Sequence, residues 1–372
     1  MNILITGAHF TPAVAVIEQL KKYPDISITY VGRKYTQEGD DSSSVESQVI
    51  PTLGVKFISL ITGRLQRSFT RYTILSILKI PIGFVQAFYI ILKEKPDVVL
   101  SFGGYVAVPL VICSWLLSIP IIIHEQTLVS GLANKISSFF ADTIAVSFKD
   151  NNEFKGKKVV LTGNPLRQEI INPNQEGFEK YEKLFQQAKR DYRPVILITG
   201  GNQGSHILNL VVENCLERLL KISCVIHQTG DSKFKDSERL SDLQNERYIV
   251  KKWINKEIGI ILSKVDFVVS RAGINTLIEL AFLGKPTLVI PIPYLYKDEQ
   301  NQNAKYFAEL GLTKILPQSK LTRDNFLQNI KDMLKNLPKL KENAARAKEV
   351  VIKDAAQRIA LETILLGKAD AS

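Results

Sequence analysis

Val195-Ile196-Leu197-Ile198-Thr199-Gly200-Gly201-Asn202-Gln203-Gly204-Ser205 decides how this chain folds. An apolar run ends in a glycine turn, and helical periodicity then runs from Ile207 to Leu219. Strand, glycine turn and helix in that order open a βαβ unit. The glycines let backbone N–H groups close on an anion, and the helix start supplies a favourable dipole. The segment reads as a phosphate or diphosphate cradle; the alternative is a tight strand–helix turn that holds nothing.

The same rhythm extends in both directions. Downstream, short apolar runs recur at Cys224–Gln228, Tyr248–Lys251, Phe267–Val269, Thr287–Ile290 and Lys314–Leu316. Upstream they fall at Ile3–Ile5, Ile28–Val31, Val98–Leu100, Ile121–Ile123, Ile144–Val146 and Val159–Thr162. Strands alternating with helix-length segments predict parallel sheets covered on both faces. Two such series predict an α/β protein of two domains, with the change at the turn Gly163-Asn164-Pro165. The expected domains are residues 1–163 and 164–345. Residues 346–372 should hold a C-terminal helix packing back on the first domain.

The chain has 372 residues, 45% of them apolar and 23% charged, which excludes wholesale disorder, collagen and coiled coil. Its net charge of +11 suggests anionic partners. Cys113, Cys215 and Cys224 have no metal-ligand spacing and suggest a reducing compartment. Met1-Asn2-Ile3-Leu4-Ile5-Thr6-Gly7 reads as a buried strand entering a turn rather than as a signal peptide. Of the two long apolar stretches, Tyr105–Ile123 is divided by Pro109 and Pro120. Tyr72–Leu92 is broken by Lys79, Pro81, Gly83 and Gln86. Neither makes a convincing span, and a soluble or peripheral protein is expected.

In open α/β sheets ligands bind beyond the carboxyl ends of strands, so the segments after the apolar runs hold the candidate chemistry. Thr6-Gly7-Ala8-His9 follows the first run, with a helix expected over Pro12–Leu20. His9 is placed to act as a general base or phosphate contact, or equally to be a helix-start histidine bonded locally. Phe102-Gly103-Gly104-Tyr105 is a third such turn, and His124-Glu125-Gln126 is a polar triplet closing a strand. No His-x-x-x-His, Cys-x-x-Cys or Asp-x-Asp spacing supports a metal site, and no cofactor is expected.

Taken in order, these segments resemble the MurG family, the N-acetylglucosamine transferases that convert lipid I to lipid II in peptidoglycan synthesis. The resemblance also includes Gly131-Leu132-Ala133-Asn134, Gly163-Asn164-Pro165-Leu166-Arg167, His227-Gln228-Thr229-Gly230, Arg271-Ala272-Gly273-Ile274-Asn275-Thr276-Leu277-Ile278-Glu279 and Asp298-Glu299-Gln300 with Asn303-Ala304. It implies a GT-B architecture: two Rossmann-like domains facing across a cleft, with the UDP-N-acetylglucosamine donor mainly on the second and an undecaprenyl-linked lipid acceptor on the first. Glu279 would accept hydrogen bonds from the ribose hydroxyls. Thr276 and the N–H groups around Gly273, Ile274, Asn275 and Leu277 would hold the diphosphate, with Arg167 adding charge and Asn202, Gln203 and Gly204 forming the glycine turn. Ile254 matches a position whose backbone pairs with uracil, and Gln300 would bond the sugar hydroxyls.

The implied reaction is an inverting displacement at the anomeric carbon by the 4-hydroxyl of the muramoyl sugar, with no required metal. His9 is the first candidate base and Glu125 the second. Thr6, Gly7, Ala8, Gly104, Thr127 and Asn134 would serve the acceptor. The chain departs from the family in a first loop cut to Thr6–His9, in Thr127 where the family has Asn, and in Asn202 where it has Ser.

Residues 47–93 contain no Asp or Glu but six basic residues, Lys56, Arg64, Arg67, Arg71, Lys79 and Lys93, interleaved with apolar ones. This predicts contact with an anionic membrane surface through residues 64–93, at the cytoplasmic face of the cell membrane. The plainer reading is a core helix with a solvated basic edge. No nucleic-acid motif appears, and nucleic acid is not expected. The competing readings are transfer to another lipid such as diacylglycerol, a UDP-N-acetylglucosamine 2-epimerase-type isomerase, and a non-catalytic nucleotide-sugar binder.

Overall fold

Two parallel sheets, one in each of two units, carry the chain. The computed structural model describes residues 1–35, 44–63, 71–149, 152–154, 157–201, 204–231 and 234–369, the side chains of 71–75, 77 and 152 excepted. The units are Met1–Arg167 together with Ile352–Ser372, and Gln168–Val351.

The first unit holds β1 (Asn2–Thr6), β2 (Ser27–Gly32), β3 (Lys56–Ser59), β4 (Val98–Ser101), β5 (Ile121–Glu125), β6 (Thr143–Val146) and β7 (Lys158–Leu161), in the spatial order β3-β2-β1-β4-β5-β6-β7. Every pairing is parallel, with Thr6 opposite both Val31 and Ser101. Successive residues of β1 enter opposite cores. Ile3 and Ile5 pack with Val16 and Ile17 of the helix Phe10–Leu20 and with Ile359 and Ile364 of the helix Ala355–Ala369. Leu4 packs on the other face with Ile90 and Ile91 of the helix Arg71–Glu94 and with Leu110 and Val111 of the helix Ala107–Leu116. Burial on both faces is why these strands read as unbroken apolar runs rather than as alternation.

The second unit repeats the plan with β8 (Val195–Thr199), β9 (Cys224–Gln228), β10 (Tyr248–Lys251), β11 (Phe267–Ser270), β12 (Thr287–Val289) and β13 (Thr313–Ile315), in the order β10-β9-β8-β11-β12-β13. Ile196 and Ile198 pack with Leu208 and Val212 of the helix His206–Leu220 and with Phe326 and Ile330 of the helix Arg323–Lys335. In both sheets the winding reverses beside the first strand, between β1 and β4 and between β8 and β11. A crevice at the carboxyl ends of those strands is the ligand position that this topology provides.

Two features depart from the pattern in the sequence. The edge strand β3 is only four residues long, none of them fully buried, so it leaves no apolar run. The stretch interrupted by Lys79, Pro81, Gly83 and Gln86 is a single 24-residue helix, Arg71–Glu94. Pro81 removes one amide donor without ending it. A Cβ on Gly83 would lie 2.6 Å from the Thr62 side chain, and one on Gly63 would meet the Ser76 carbonyl, so both glycines let residues 61–63 lie against the helix. Among the described residues no helix is long and apolar enough to cross a membrane.

Candidate active-site crevices

In the second unit, β8 runs into Gly200 and Gly201, and the helix His206–Leu220 opens at Ser205, whose hydroxyl caps the Leu208 N–H. Gly204 has φ +73, and a Cβ there would collide with the Thr229 carbonyl, so this close approach to the turn after β9 requires glycine. Asn202 and Gln203 lie outside the described residues.

Beside it, β11 leads through Arg271 and Ala272 to Gly273, the N-cap of the helix Ile274–Leu283. Gly273 has no side chain to cap this helix, and among the described residues a Cβ on it would meet nothing within 4 Å. The first-turn N–H groups of Ile274, Asn275 and Thr276 therefore stand at an uncapped helix start with open space before it, the arrangement that binds anions. Leu277 is buried in the core below, and Glu279 is also buried, on the same helix.

Gln300 opens the helix Glu299–Glu309 and bridges two loops: its Oε1 accepts from Ala272 N (3.2 Å) and Ile292 N (3.0 Å). Two N–H donors converging on one atom identify it as the oxygen, leaving the amide NH₂ as a donor. One turn on, Asn303 Nδ2 donates to the Ala272 carbonyl at 3.2 Å. Ile254 N–H donates to Gln228 Oε1 at 3.3 Å, and Gln228 Nε2 donates to the Gly201 carbonyl at 3.3 Å. Gln228 thus ties the Ile254 backbone to the glycine turn. Sequence reasoning gave roles to neither Gln228 nor Asn303. A polar residue closing β9 was the signal for the first; only spatial proximity reveals the second.

In the first unit the two turns at the winding reversal are bound to each other. Ala8 N donates to the Gly103 carbonyl (2.9 Å) and Phe102 N to the Thr6 carbonyl (2.8 Å). Gly7, at φ +141, lies where a Cβ would sit 2.8 Å from the Phe102 carbonyl carbon, and a Cβ on Gly104 would meet that of Ala8 at 2.5 Å. Thr6 Oγ1 is buried without a hydrogen-bond partner among the described residues.

His9 is the N-cap of the helix Phe10–Leu20, and its side chain makes no capping bond. Burial, helped by the nearby Arg33 charge, lowers its pKa to about 4. The imidazole is therefore neutral at pH 7. Burial holds His124 down to about 4 as well; its Nε2 lies 3.0 Å from the Gly163 carbonyl.

Glu125 is 2% exposed. Its Oε1 accepts from Thr127 N (3.0 Å) and Thr127 Oγ1 (2.7 Å), and its Oε2 from Asn134 Nδ2 (3.0 Å) and Gly131 N (3.3 Å). The Thr127 hydroxyl also lies 2.7 Å from the Val129 carbonyl, so its single proton is shared between two acceptors. Burial pushes the Glu125 pKa up while these donors oppose the rise. The geometry makes Glu125 the anchor of the loop from Thr127 to Asn134. Thr127 and the Asn134 NH₂ belong to the same network, while Asn134 Oδ1 is buried without a hydrogen-bond partner among the described residues. Arg167 ends the first unit after the turn Gly163–Pro165. Among the described residues no group of three or more His, Cys, Asp or Glu could hold a metal ion.

Residues 6–146 match the glycosyltransferase family 28 N-terminal domain, and residues 195–359 match its C-terminal domain. A Bacillus cytotoxicus protein named UDP-N-acetylglucosamine--N-acetylmuramyl-(pentapeptide) pyrophosphoryl-undecaprenol N-acetylglucosamine transferase is 34% identical, over 96% of this chain and 97% of its own length. A Clostridium kluyveri protein of the same name is 34% identical, over 93% and 96%. Among solved structures, Acinetobacter baumannii MurG aligns with TM-score 0.70 and 26% identity, covering 98% of this chain and 99% of that one. The UDP-N-acetylglucosamine 2-epimerase of Neisseria meningitidis aligns with TM-score 0.63 at 16% identity, covering 98% and 100%, a likeness of fold alone.

Proposed function

The chain belongs to glycosyltransferase family 28 and, within it, to the MurG family, and from that premise we propose the reaction and the part each crevice plays in it. The protein is a GT-B glycosyltransferase that moves N-acetylglucosamine from UDP-N-acetylglucosamine to lipid I, giving lipid II for peptidoglycan synthesis. The observation that carries the donor assignment is the uncapped helix start at Gly273, open in front, with Glu279 on the same helix. The diphosphate takes the N–H groups of Ile274 to Thr276, the ribose diol takes Glu279, and the sugar meets the donor end of the Gln300 amide. Ile254 and the turn from Asn202 to Gly204 complete the set.

The acceptor's diphosphate lies along Thr6, Gly7 and Ala8, with Gly104 behind them. The muramoyl 4-hydroxyl attacks the anomeric carbon, the bond to the UDP oxygen breaks, and the hydroxyl proton passes to His9. Charge develops on the departing diphosphate, where fixed N–H groups stabilise it without reorganisation. A neutral His9 can take a proton, and an incoming diphosphate raises its basicity by placing negative charge nearby. Glu125 holds the loop and takes no proton. Incubation with labelled UDP-N-acetylglucosamine and a lipid I analogue tests this: label moves to the lipid phase. Label confined to an epimerised nucleotide, or no transfer, would overturn it.

The helix Arg71–Glu94 carries the membrane contact in this reading. Leu78, Ile82, Val85, Tyr89 and Leu92 are exposed at spacings of four and three, a single apolar stripe, while Ala87, Ile90 and Ile91 face the core. Trp115 and Leu116 are also exposed, at the end of the neighbouring helix. Arg64 and Arg67 lie outside the described residues, as does the Arg71 side chain. The stripe and basic residues lie on an anionic leaflet at the cytoplasmic face. Reversing charge at Arg64, Arg67 and Arg71 should weaken sedimentation with acidic vesicles; unchanged binding would contradict the placement.

A further inference from the structure

Arg271 and Ser205 have no role in the reaction as described above, yet they meet at the winding reversal of the second sheet. Arg271 is 8% exposed. Its Nε and Nη2 donate to Ser205 Oγ at 3.1 and 2.7 Å, and its Nη1 donates to the Ile290 carbonyl at 2.9 Å. All of these partners are neutral. Burial lowers its pKa to about 10, so the side chain stays a cation at pH 7. A buried cation whose bonding partners carry no charge is costly, and a negatively charged ligand beside it would offset that cost.

Ser205 shows where such a ligand would bind. Its Oγ accepts from both Arg271 nitrogens and, at 3.5 Å, from Leu208 N. A hydroxyl has two acceptor lone pairs and one proton. With three donors converging on the oxygen, its proton points elsewhere, and it has no acceptor among the described residues. Ser205 directly follows Gly204 at the mouth of the glycine turn.

We propose that Ser205 donates its hydroxyl hydrogen to a phosphate oxygen of the bound nucleotide diphosphate, with Arg271 as the positioning residue that orients this hydroxyl and supplies countercharge beneath it. The inference rests on the reading of this crevice as the donor site. Arg271 acts through Ser205: its guanidinium fork fixes the hydroxyl in one orientation, which a lysine ammonium, lacking the fork, cannot reproduce.

Calorimetric titration of the full chain with UDP and, separately, with uridine tests the proposal. Ser205→Ala should weaken UDP roughly 10- to 100-fold, the range for a hydrogen bond to a charged group, and change uridine within about twofold. Ser205→Thr, which keeps the hydroxyl, should restore most of the UDP affinity, and Arg271→Lys should weaken UDP while sparing uridine. Ser205→Ala also removes a helix cap, so its unfolding midpoint is measured and binding is compared well below it. An unchanged UDP affinity in Ser205→Ala, or an equal loss for UDP and uridine, would overturn the inference and leave the donor reading standing. A wild-type protein that binds neither would overturn the donor reading and the inference together.

Discussion

The two winding reversals share a topology but spend their polar groups differently. In the second unit the crevice is built from a glycine turn, a helix start at Gly273 without a side-chain cap, and a Gln300 amide whose oxygen bridges two loops. In the first unit the conspicuous polar side chains are turned inward. Glu125 accepts from Thr127 and Asn134, and His124 reaches the Gly163 carbonyl. The difference fits the two tasks proposed for them. Holding a diphosphate needs a fixed field of N–H groups, whereas removing a proton needs one free base in a loop that cannot move. In the first crevice the proposal gives the base to His9 and a further contact to Thr6.

The largest effect should come from His9. His9→Gln is expected to lower kcat by roughly 10²- to 10⁴-fold, the usual range for a general base, and to leave UDP affinity unchanged. The pH dependence sharpens this. Because burial holds the free-enzyme pKa at about 4, His9 stays deprotonated until pH falls towards that value, so kcat/KM should persist well below pH 6.5. Bound diphosphate raises the pKa, so the acid limb of kcat should lie above that of kcat/KM. A limb at the same pH in both plots would break the assignment.

Glu279→Gln comes next, raising the donor KM roughly tenfold with kcat little changed, since one charged hydrogen-bond acceptor is lost. Unlike Ser205→Ala, it should weaken uridine and UDP alike, because it reads the ribose.

Glu125→Gln should have the smallest effect on catalysis. It turns an NH₂ towards two of the four donors now facing the carboxylate, costing about 1–3 kcal/mol of stability in denaturant unfolding. The shape of the pH–rate profile should stay the same. Lost activity at unchanged stability would restore Glu125 as a base and erase the contrast between the crevices.

Much of this was legible in the sequence because glycine and strand–turn–helix order are local signals. The turns at Gly7, Gly104 and Gly204 could be read directly, since each occupies a backbone position that tolerates no side chain. Partners distant in sequence could not. The bond from Gln228 to Gly201 spans 27 residues, the one from Asn303 to Ala272 spans 31, and Arg271 reaches Ser205 across 66. The same blindness covers the donors to Glu125: nothing in a polar triplet closing a strand shows Gly131 and Asn134 folding back onto its carboxylate. Pro81 and Gly83 read as interruptions for a related reason, because the residue that accommodates Gly83, Thr62, lies on a different segment.

The most direct test of the central claim is the configuration of the bond that is made. UDP-N-acetylglucosamine is α-linked, and a single displacement by the muramoyl 4-hydroxyl, with His9 taking the proton, inverts that centre. Proton NMR of the disaccharide released from a lipid I analogue should show a β linkage at the 4-position, formed in step with free UDP. An α linkage, or an epimerised nucleotide with no disaccharide, would contradict the account.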